Sequence, residues 1–303
     1  MNQLPRISII TPSFNQGQFI EETILSVINQ NYPNLEYIII DGGSSDNSVE
    51  IIRKYEKKLK YWVSEPDKGQ SDAINKGAVF ATGDLIAWIN SDDMYLPDTF
   101  QIVAQAYSPW QNRMIIGPVI NFREGDHYEE LEPQTSLTDL ESMVKFWDPG
   151  WSWHQPGIFI PRLSWVENGG LNTSYHFGMD YDLVLKLLQS LEIKNVNVPL
   201  ARFRLHDKSK GGVAGFELFL YEWSQISKRY WSEVGIEKSD DHDKYISRQF
   251  ALLIGRRIRH REFSSSFRVI SVANKIKIVK KVIQKFLIES LNWITWKLGW
   301  QGK

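Results

Sequence analysis

The chain has 303 residues, of which 42% are hydrophobic, so it can build one sizeable core, or one domain with an appendage. It contains no cysteine, which excludes disulfide bonds and thiolate chemistry. The net charge of −1 conceals an asymmetry, because residues 241–303 carry 14 basic and 4 acidic side chains while the rest of the chain is acidic overall.

The first 90 residues alternate between short apolar runs and segments with helical spacing. This alternation predicts an α/β fold with a mostly parallel sheet covered by helices on both faces. The predicted strands are, in chain order, 7–11, 37–40, 59–63 and 85–89, and the predicted helices are 19–28, 48–55 and 71–81.

The pattern is less regular beyond residue 110 and becomes helical from residue 215 onward. We therefore predict an α/β domain over residues 1–213 and a helical extension over residues 214–303. The elements predicted in the middle of the chain are strands at 114–116, 119–120 and 195–205, helices at 137–146 and 180–191, and a loop at 148–157.

Small polar or acidic residues follow each of the four predicted strands at its carboxyl end, the edge where ligands bind to parallel sheets. The most informative of these segments is Asn90-Ser91-Asp92-Asp93, where two acids end a buried strand. Carboxylates, together with substrate phosphates, are the ligands that Mg²⁺ or Mn²⁺ takes in proteins. The alternative is an acidic turn, since Asn, Ser and Asp all favour turns.

The order and spacing of these segments resemble the family 2 glycosyltransferases over about residues 5–210. The resemblance implies a GT-A type fold, in which donor and acceptor halves share a single nucleotide-binding sheet, and a nucleoside diphosphate sugar as donor. It rests on ISIITPSFNQGQFIEETILSVINQNYPNLEYIIIDGGSSDNSVEII and SEPDKGQSDAINKGAVFATGDLIAWINSDD, and further on HQPGIFIPR, GMDYDL and FRLH.

The resemblance also implies roles for individual residues. Asp93 and His206 would bind Mn²⁺ or Mg²⁺, and Asp180 would be the catalytic base. The family's usual Glu-Asp pair is Met179-Asp180 here, so only the second acid is retained. The implied donor-site residues are Thr11, Pro12, Asn15, Asp41, Lys68 and Asp92, with Asp41 accepting a hydrogen bond from the nucleobase and Asp92 facing the ribose or sugar hydroxyls.

These roles predict an inverting reaction, because one base and no evident nucleophile imply a single displacement at the anomeric carbon. Each residue also has a structural interpretation. Asp180 could cap a helix, and Asp41 could form a turn. Lys68 could be merely solvated, His206 could be a surface histidine, and His154 could either contact the acceptor or pack in a loop.

Two other functions are considered. A sugar nucleotidyltransferase has a related sheet, but it normally carries a glycine-rich basic loop after its first strand, where this chain has Pro12-Ser13-Phe14-Asn15-Gln16. A sugar-nucleotide-binding scaffold without catalysis is the second alternative, and the presence of Asp92, Asp93 and Asp180 argues against it.

The basic tail mixes apolar and basic positions at helical spacing over residues 244–300, which is typical of a helix at an anionic membrane surface. Packing on the body and a dimer interface are the alternatives. No nucleic-acid-binding motif occurs, and no uncharged run predicts a spanning helix. We expect a saccharide or lipid-linked saccharide acceptor, in surface-polysaccharide or glycolipid assembly. We also expect a cytoplasmic location, with peripheral contact to the inner membrane.

Overall fold

We describe a computed structural model of the protein, in which the described residues are 4–125, 128–146, 148, 150–207, 209–210, 216–231, 233–234, 242 and 246–250. The strands are β1 (Ile7–Ser13), β2 (Leu35–Asp41), β3 (Tyr61–Ser64), β4 (Leu85–Trp88), β5 (Met94–Tyr95), β6 (Arg113–Ile116), β7 (Val119–Arg123), β8 (Tyr128–Glu132), β9 (Ile158–Pro161), β10 (Glu192–Asn195) and β11 (Ala201–Arg204). The helices are α1 (Ile20–Ile28), α2 (Ser48–Lys54), α3 (Gln70–Phe80), α4 (Thr99–Ala106), α5 (Leu140–Val144), α6 (Arg162–Glu167), α7 (Met179–Leu187) and α8 (Phe216–Trp231), with short 3₁₀ turns at Glu56–Lys58 and Gln155–Gly157.

The chain divides into two compact units. The first unit contains all the strands named above. The second unit contains α8, and the ring of Trp223 on this helix meets the ring of Phe146 edge to face. The predicted boundary after residue 213 and the basic stripe of the tail fall outside the described residues and stay predictions. No helix in the part of the chain that is described is long and apolar enough to cross a bilayer. The units are residues 1–143 with 150–207, and residues 144–149 with 208–303.

The first unit is built on a seven-stranded sheet with the order β10-β6-β9-β4-β1-β2-β3. All adjacent pairs are parallel except those of β9, which runs antiparallel to β4 and β6. Strands β1 and β4 are buried along their whole length, as expected for mainly apolar central strands covered on both faces. The predicted mostly parallel α/β sheet is confirmed, and β4 ends one residue earlier than its apolar run suggests.

A second sheet, with four strands in the order β5-β11-β7-β8, was not predicted. The strand predicted over 195–205 is also wrong in extent, because the chain turns between β10 and β11. Asn197 adopts a left-handed φ of 55°, and its N–H donates to the side chain of Asn195 at 2.8 Å. This local turn removes the intervening residues from both sheets and lets β11 begin a new one.

The close packing of α3 brings its first turn to the end of β4. A Cβ at Gly77 would lie 2.7 Å from Ile10 Cγ2 and 3.3 Å from Ile40 Cγ1, so only glycine allows the helix to approach β1 and β2 this closely. Gly69 is the N-cap residue just before α3, and its φ of 107° suits glycine alone. The packing therefore fixes the position of Gln70 and Ser71, the first two residues of α3.

Candidate functional site

The carboxyl end of β2 carries a fully buried carboxylate. Asp41 accepts hydrogen bonds from the hydroxyls of Ser13 (3.0 Å), Ser64 (2.7 Å) and Ser44, and from the backbone N–H groups of Gly43 (3.2 Å) and Ser44 (2.9 Å). The strand register pairs Ser13 with Asp41 and Asp41 with Ser64, which places both hydroxyls beside it. A carboxylate offers about four lone pairs, so this one is saturated. The predicted contact to a nucleobase would need one of these bonds to be exchanged.

The loop after β1 is tied to the loop after β2 through Asn15. Its N–H donates to Ser44 Oγ at 2.8 Å, and its side-chain oxygen accepts the N–H of Ser45 at 2.9 Å. Of the three donor-site residues predicted here, Asn15 is exposed, whereas Thr11 and Pro12 are buried in the sheet. The adjacent Phe14 is 60% exposed and offers an aromatic surface that the sequence analysis did not single out.

The two aspartates after β4 lie in different surroundings. Asp93 is buried, and its oxygens accept the backbone N–H of Arg204 (3.0 Å) and the side-chain amide of Asn90 (3.2 Å). Burial, followed by the negative charge of Asp92, raises the pKa of Asp93 well above its ordinary value. Asp92 is only partly buried, and its Oδ2 lies 3.0 Å from His206 Nε2.

The imidazole ring of His206 packs against the ring of Phe19, and the two ring centroids are 4.7 Å apart. Its Nδ1 is buried and has no hydrogen-bond partner among the residues that the structure describes. The contact with Asp92 joins positions 114 residues apart and is formed because β11 ends beside the loop that follows β4.

The 3.0 Å separation of Asp92 Oδ2 and His206 Nε2 is that of a hydrogen bond or ion pair. A carboxylate oxygen and an imidazole nitrogen are both ligands that Mn²⁺ accepts, and these two are close enough to bind one divalent cation together. The described residues contain no group of three or more His, Asp or Glu side chains around one point, so phosphate or water oxygens would complete the shell. Both oxygens of Asp93 accept hydrogen bonds, and Oδ2 of Asp92 contacts His206, so the roles predicted for the two aspartates stay predictions.

Helix α3 links the loop after β4 to the start of α7. The Gln70 side chain donates to Asn90 Oδ1 at 2.7 Å, and the next residue, Ser71, donates to the sulfur of Met179. Two adjacent side chains on one helical turn therefore contact the acidic segment and the residue before Asp180.

Asp180 is partly buried in the first turn of α7, and its Oδ1 accepts the N–H of Tyr181 at 2.8 Å. Such a position suits both a helix-stabilising acid and a carboxylate that faces a cleft. Met179, which replaces the family's glutamate, is buried against Ser71 and has no acidic function to supply.

Lys68 and His154 have simpler surroundings. Lys68 is exposed, and its ammonium makes no ion pair with any described residue, so it is available to an anionic ligand. His154 packs 5.6 Å from the ring of Phe203, and burial lowers its pKa to about 4. Its backbone N–H and carbonyl bond to the side chain of Gln134, which is consistent with a packed loop histidine.

Two buried polar residues near this edge were missed by sequence reasoning. Gln155 donates to the carbonyl of Trp88, the last residue of β4, at 2.8 Å. Arg204 is 2% exposed and contacts both aspartates of the acidic segment. Its place in the segment FRLH, which is part of the family resemblance, is the signal in the sequence that marks it.

Comparisons with known proteins agree with this geometry. The sequence profile described as glycosyl transferase family 2 matches residues 8–169. An uncharacterized glycosyltransferase of Mycobacterium tuberculosis is 40% identical over 121 residues, which cover 39% of this chain and 44% of that protein. TuaG of Bacillus subtilis, named as a putative teichuronic acid biosynthesis glycosyltransferase, is 36% identical over 33% of this chain and 41% of its own length. The aligned segments thus span less than half of either relative.

Two solved structures share the fold. TarS of Staphylococcus aureus in complex with UDP-GlcNAc superposes with a TM-score of 0.59 at 16% identity, covering 80% of this chain and 71% of that one. The mannosyltransferase PcManGT of Pyrobaculum calidifontis, in complex with GDP-Man and Mn²⁺, gives 0.55 at 18% identity and covers 97% and 84%. The profile match over more than half of the sequence, on this sheet and with these acids at its edge, shows that the chain belongs to glycosyltransferase family 2.

Proposed function

We propose that the protein transfers a sugar from a nucleoside diphosphate to a hydroxyl of a saccharide acceptor, with inversion at the anomeric carbon and dependence on Mn²⁺ or Mg²⁺. The observation that carries the proposal is the Asp92–His206 pair, formed at the carboxyl edge of the sheet from two distant parts of the sequence. Asp92 and His206 would hold the cation. When bound, it would neutralise the charge that builds on the departing diphosphate.

The acceptor hydroxyl must lose a proton as it attacks the anomeric carbon, and we assign that proton to Asp180. The bond from the sugar to the diphosphate breaks in the same displacement, so configuration inverts. The contact of Ser71 with Met179 supports this role, because it brings the first turn of α7 next to the helix that contacts Asn90. The half-buried state of Asp180 leaves its carboxylate accessible to a substrate.

The donor would bind along the edge formed by β1, β2 and β3. Asn15 and the exposed ring of Phe14 are placed to contact the nucleoside, while Lys68 offers its free ammonium to a phosphate. Asp41 would act mainly by ordering the two loops, and its predicted contact to the base remains part of the proposal. The neighbours bind UDP-GlcNAc and GDP-Man, so both nucleobases are candidates.

The acceptor is proposed to be a growing surface polysaccharide or a glycolipid, because TuaG is named for teichuronic acid biosynthesis. The test has two stages. Thermal shifts with a panel of nucleotide sugars and Mn²⁺ select the donor, since a bound ligand stabilises the fold. Turnover, or slow hydrolysis of the selected donor, is then measured for the wild type, Asp92→Asn and the matched control Asp98→Asn, whose residue is exposed and adopts a φ of 61° that asparagine tolerates.

We expect Asp92→Asn to lose turnover and Asp98→Asn to keep it. Donor binding by the wild type with neither transfer nor hydrolysis would contradict the proposal and favour the scaffold instead. Formation of a nucleotide sugar from a sugar phosphate would favour the nucleotidyltransferase.

We also propose peripheral binding to an anionic membrane through the basic tail, an inference from charge alone. The intact chain should sediment with vesicles that contain about 30% anionic lipid and not with zwitterionic vesicles, and 0.5 M salt should release it. Equal recovery in both supernatants would refute this part of the proposal and leave the catalytic part untouched.

A further inference from the structure

Arg204 is a buried cation between two aromatic rings. Its guanidinium carbon lies 4.7 Å from the ring centroid of Phe19 and 4.7 Å from that of Phe122, and the side chain is 2% exposed. Burial of an arginine costs free energy unless its charge is paired and its N–H groups are bonded. The partners of this side chain therefore indicate what the residue is for.

Those partners surround the acidic segment after β4. The backbone N–H of Arg204 donates to Asp93 Oδ1 at 3.0 Å, and its side-chain Nε donates to the backbone carbonyl of Asp92 at 2.9 Å. The two remaining nitrogens pair with Glu22 on α1 and with Glu124 after β7. A single residue thus holds the backbone and one side chain of the aspartate pair and ties them to two other elements.

The same arrangement holds His206. The ring of Phe19 contacts the Arg204 guanidinium and, 4.7 Å away, the imidazole of His206. Fixing the carbonyl of Asp92 fixes where its carboxylate can reach, and fixing Phe19 fixes the tilt of the imidazole. Both halves of the candidate cation site are therefore positioned by contacts that meet at one guanidinium.

Glu22 and Glu124 line a cavity of about 570 Å³, and the side chains of both glutamates are more than half exposed to solvent. Glu22→Gln would remove one of the two counter-charges of Arg204 and keep Glu124, so it perturbs the guanidinium without replacing it. This difference provides a milder variant than a change at Arg204 itself.

We infer that Arg204 is a positioning residue that sets the geometry of the Asp92–His206 pair for a divalent cation, an inference that rests on the function proposed above. Lysine cannot replace it. A lysine ammonium is one compact group, whereas the planar guanidinium donates to the Asp92 carbonyl and to Glu22, pairs with Glu124 and lies within 4.7 Å of two ring centroids.

The test measures cation binding directly. Free Mn²⁺ is followed by its electron paramagnetic resonance signal as protein is titrated in the presence of UDP or GDP, for the wild type, Arg204→Lys and Arg202→Lys. Arg202 is the matched control, since it lies on the same strand and 4.2 Å from the same Phe122 ring but pairs with Glu129. We expect Mn²⁺ to bind about tenfold more weakly to Arg204→Lys and almost unchanged to Arg202→Lys.

Unfolding is recorded for each variant, and affinities are compared at a temperature where all are folded. A folded Arg204→Lys with wild-type Mn²⁺ affinity and a lower Tm would show a purely structural role and overturn the inference. If Arg204→Lys does not fold, Glu22→Gln decides instead, with an expected loss of about threefold and wild-type affinity as the contrary result. Failure of the wild type to bind Mn²⁺ with either diphosphate would overturn the proposed function, a result distinct from both.

Discussion

The two ends of the central sheet both bury a carboxylate, but they neutralise it differently. At the amino end, Glu36 accepts hydrogen bonds from Ser8 (2.6 Å) and Thr82, and it also pairs with the ammonium of Lys60. At the carboxyl end, Asp41 is surrounded by hydroxyl and N–H groups and has no ion pair within the described part of the chain.

The two ends of the sheet differ in how the negative charge of their carboxylates is balanced. The amino end is a closed network in which each charge has its counter-charge, as expected of a purely structural site. At the carboxyl end, Asp41 ends β2 without a cationic partner among the described residues, while Asp92 and Asp93 follow β4 beside one buried cation, Arg204, which also pairs with two glutamates. A surplus of carboxylates at the ligand-binding edge is what a site for a divalent cation requires.

The largest effect should follow Asp180→Asn. Removal of a general base lowers kcat by about 10³-fold. The donor should bind as before, because the proposed partner of Asp180 is the acceptor hydroxyl. The matched control is Asp182→Asn on the same helix, where the carboxylate is fully buried and pairs with Lys186 at 2.9 Å. That variant should lower Tm and spare kcat in the folded fraction. Initial rates and donor titrations measure both, and a normal kcat for Asp180→Asn would place the base elsewhere.

A second comparison separates the two adjacent aspartates. Asp92→Asn should weaken Mn²⁺ binding and lower turnover about 100-fold, because asparagine cannot supply the same charge to the cation. Asp93→Asn should have the smaller effect on Mn²⁺, since its buried oxygens bond to Arg204 and Asn90. Mn²⁺ titrations of turnover measure the difference. A larger loss of Mn²⁺ binding in Asp93→Asn than in Asp92→Asn would indicate that Asp93 is the ligand, as the family resemblance implies.

The position of small polar and acidic residues after β1, β2 and β4 could be predicted, because parallel strands end at a common edge. The runs that became β1, β2 and β4 are mainly apolar, so their central position and their polar carboxyl ends follow from the pattern. The register could not be predicted. It alone explains why Ser13 and Ser64 flank Asp41, and an offset of one residue would turn these hydroxyls to the other face.

The different surroundings of Asp92 and Asp93 could not be predicted from the sequence. Adjacent side chains point in different directions, and which one faces outward depends on the turn at Asn90, whose carbonyl accepts the N–H of Asp93 at 3.1 Å. Arg204 is the last residue of β11 and His206 follows that strand, and the strands of the second sheet are too short to give a periodic signal.

Acidification should separate the amino-end network from the rest of the protein. Burial favours the neutral form of Glu36, but hydrogen bonds from Lys60, Ser8 and Thr82 outweigh it and lower its pKa from 4.5 to about 2. A lowered carboxylate pKa stabilises the folded state fully above 4.5, and the gain is lost as the pH falls toward 2. The loss should be roughly 2 kcal/mol, partly screened by solvent.

His154 affects the stability of the folded state over a different pH range. Its pKa is lowered from 6.5 to about 4, so the unfolded chain binds the proton first and stability falls between those values. Urea unfolding at pH 7, 5.5, 4.5 and 3 measures both effects. Glu36→Gln should flatten the loss below pH 4.5, and His154→Gln the loss above it. Identical pH profiles for both variants and the wild type would show that neither group is linked to folding.

The smallest effect is expected at Lys68, the exposed cation next to the acidic edge. Lys68→Met should raise the dissociation constant of the donor about fivefold at low salt and leave kcat unchanged, because a solvated ammonium contributes modestly and through charge alone. Lys57→Met is the control, since Lys57 is equally exposed but lies in the 3₁₀ turn before β3. Donor titrations at 20 mM and 300 mM NaCl measure the difference, which should shrink at the higher salt. An effect of equal size for both lysines would reflect the net charge of the protein, and Lys68 would then be a solvated side chain without a phosphate partner.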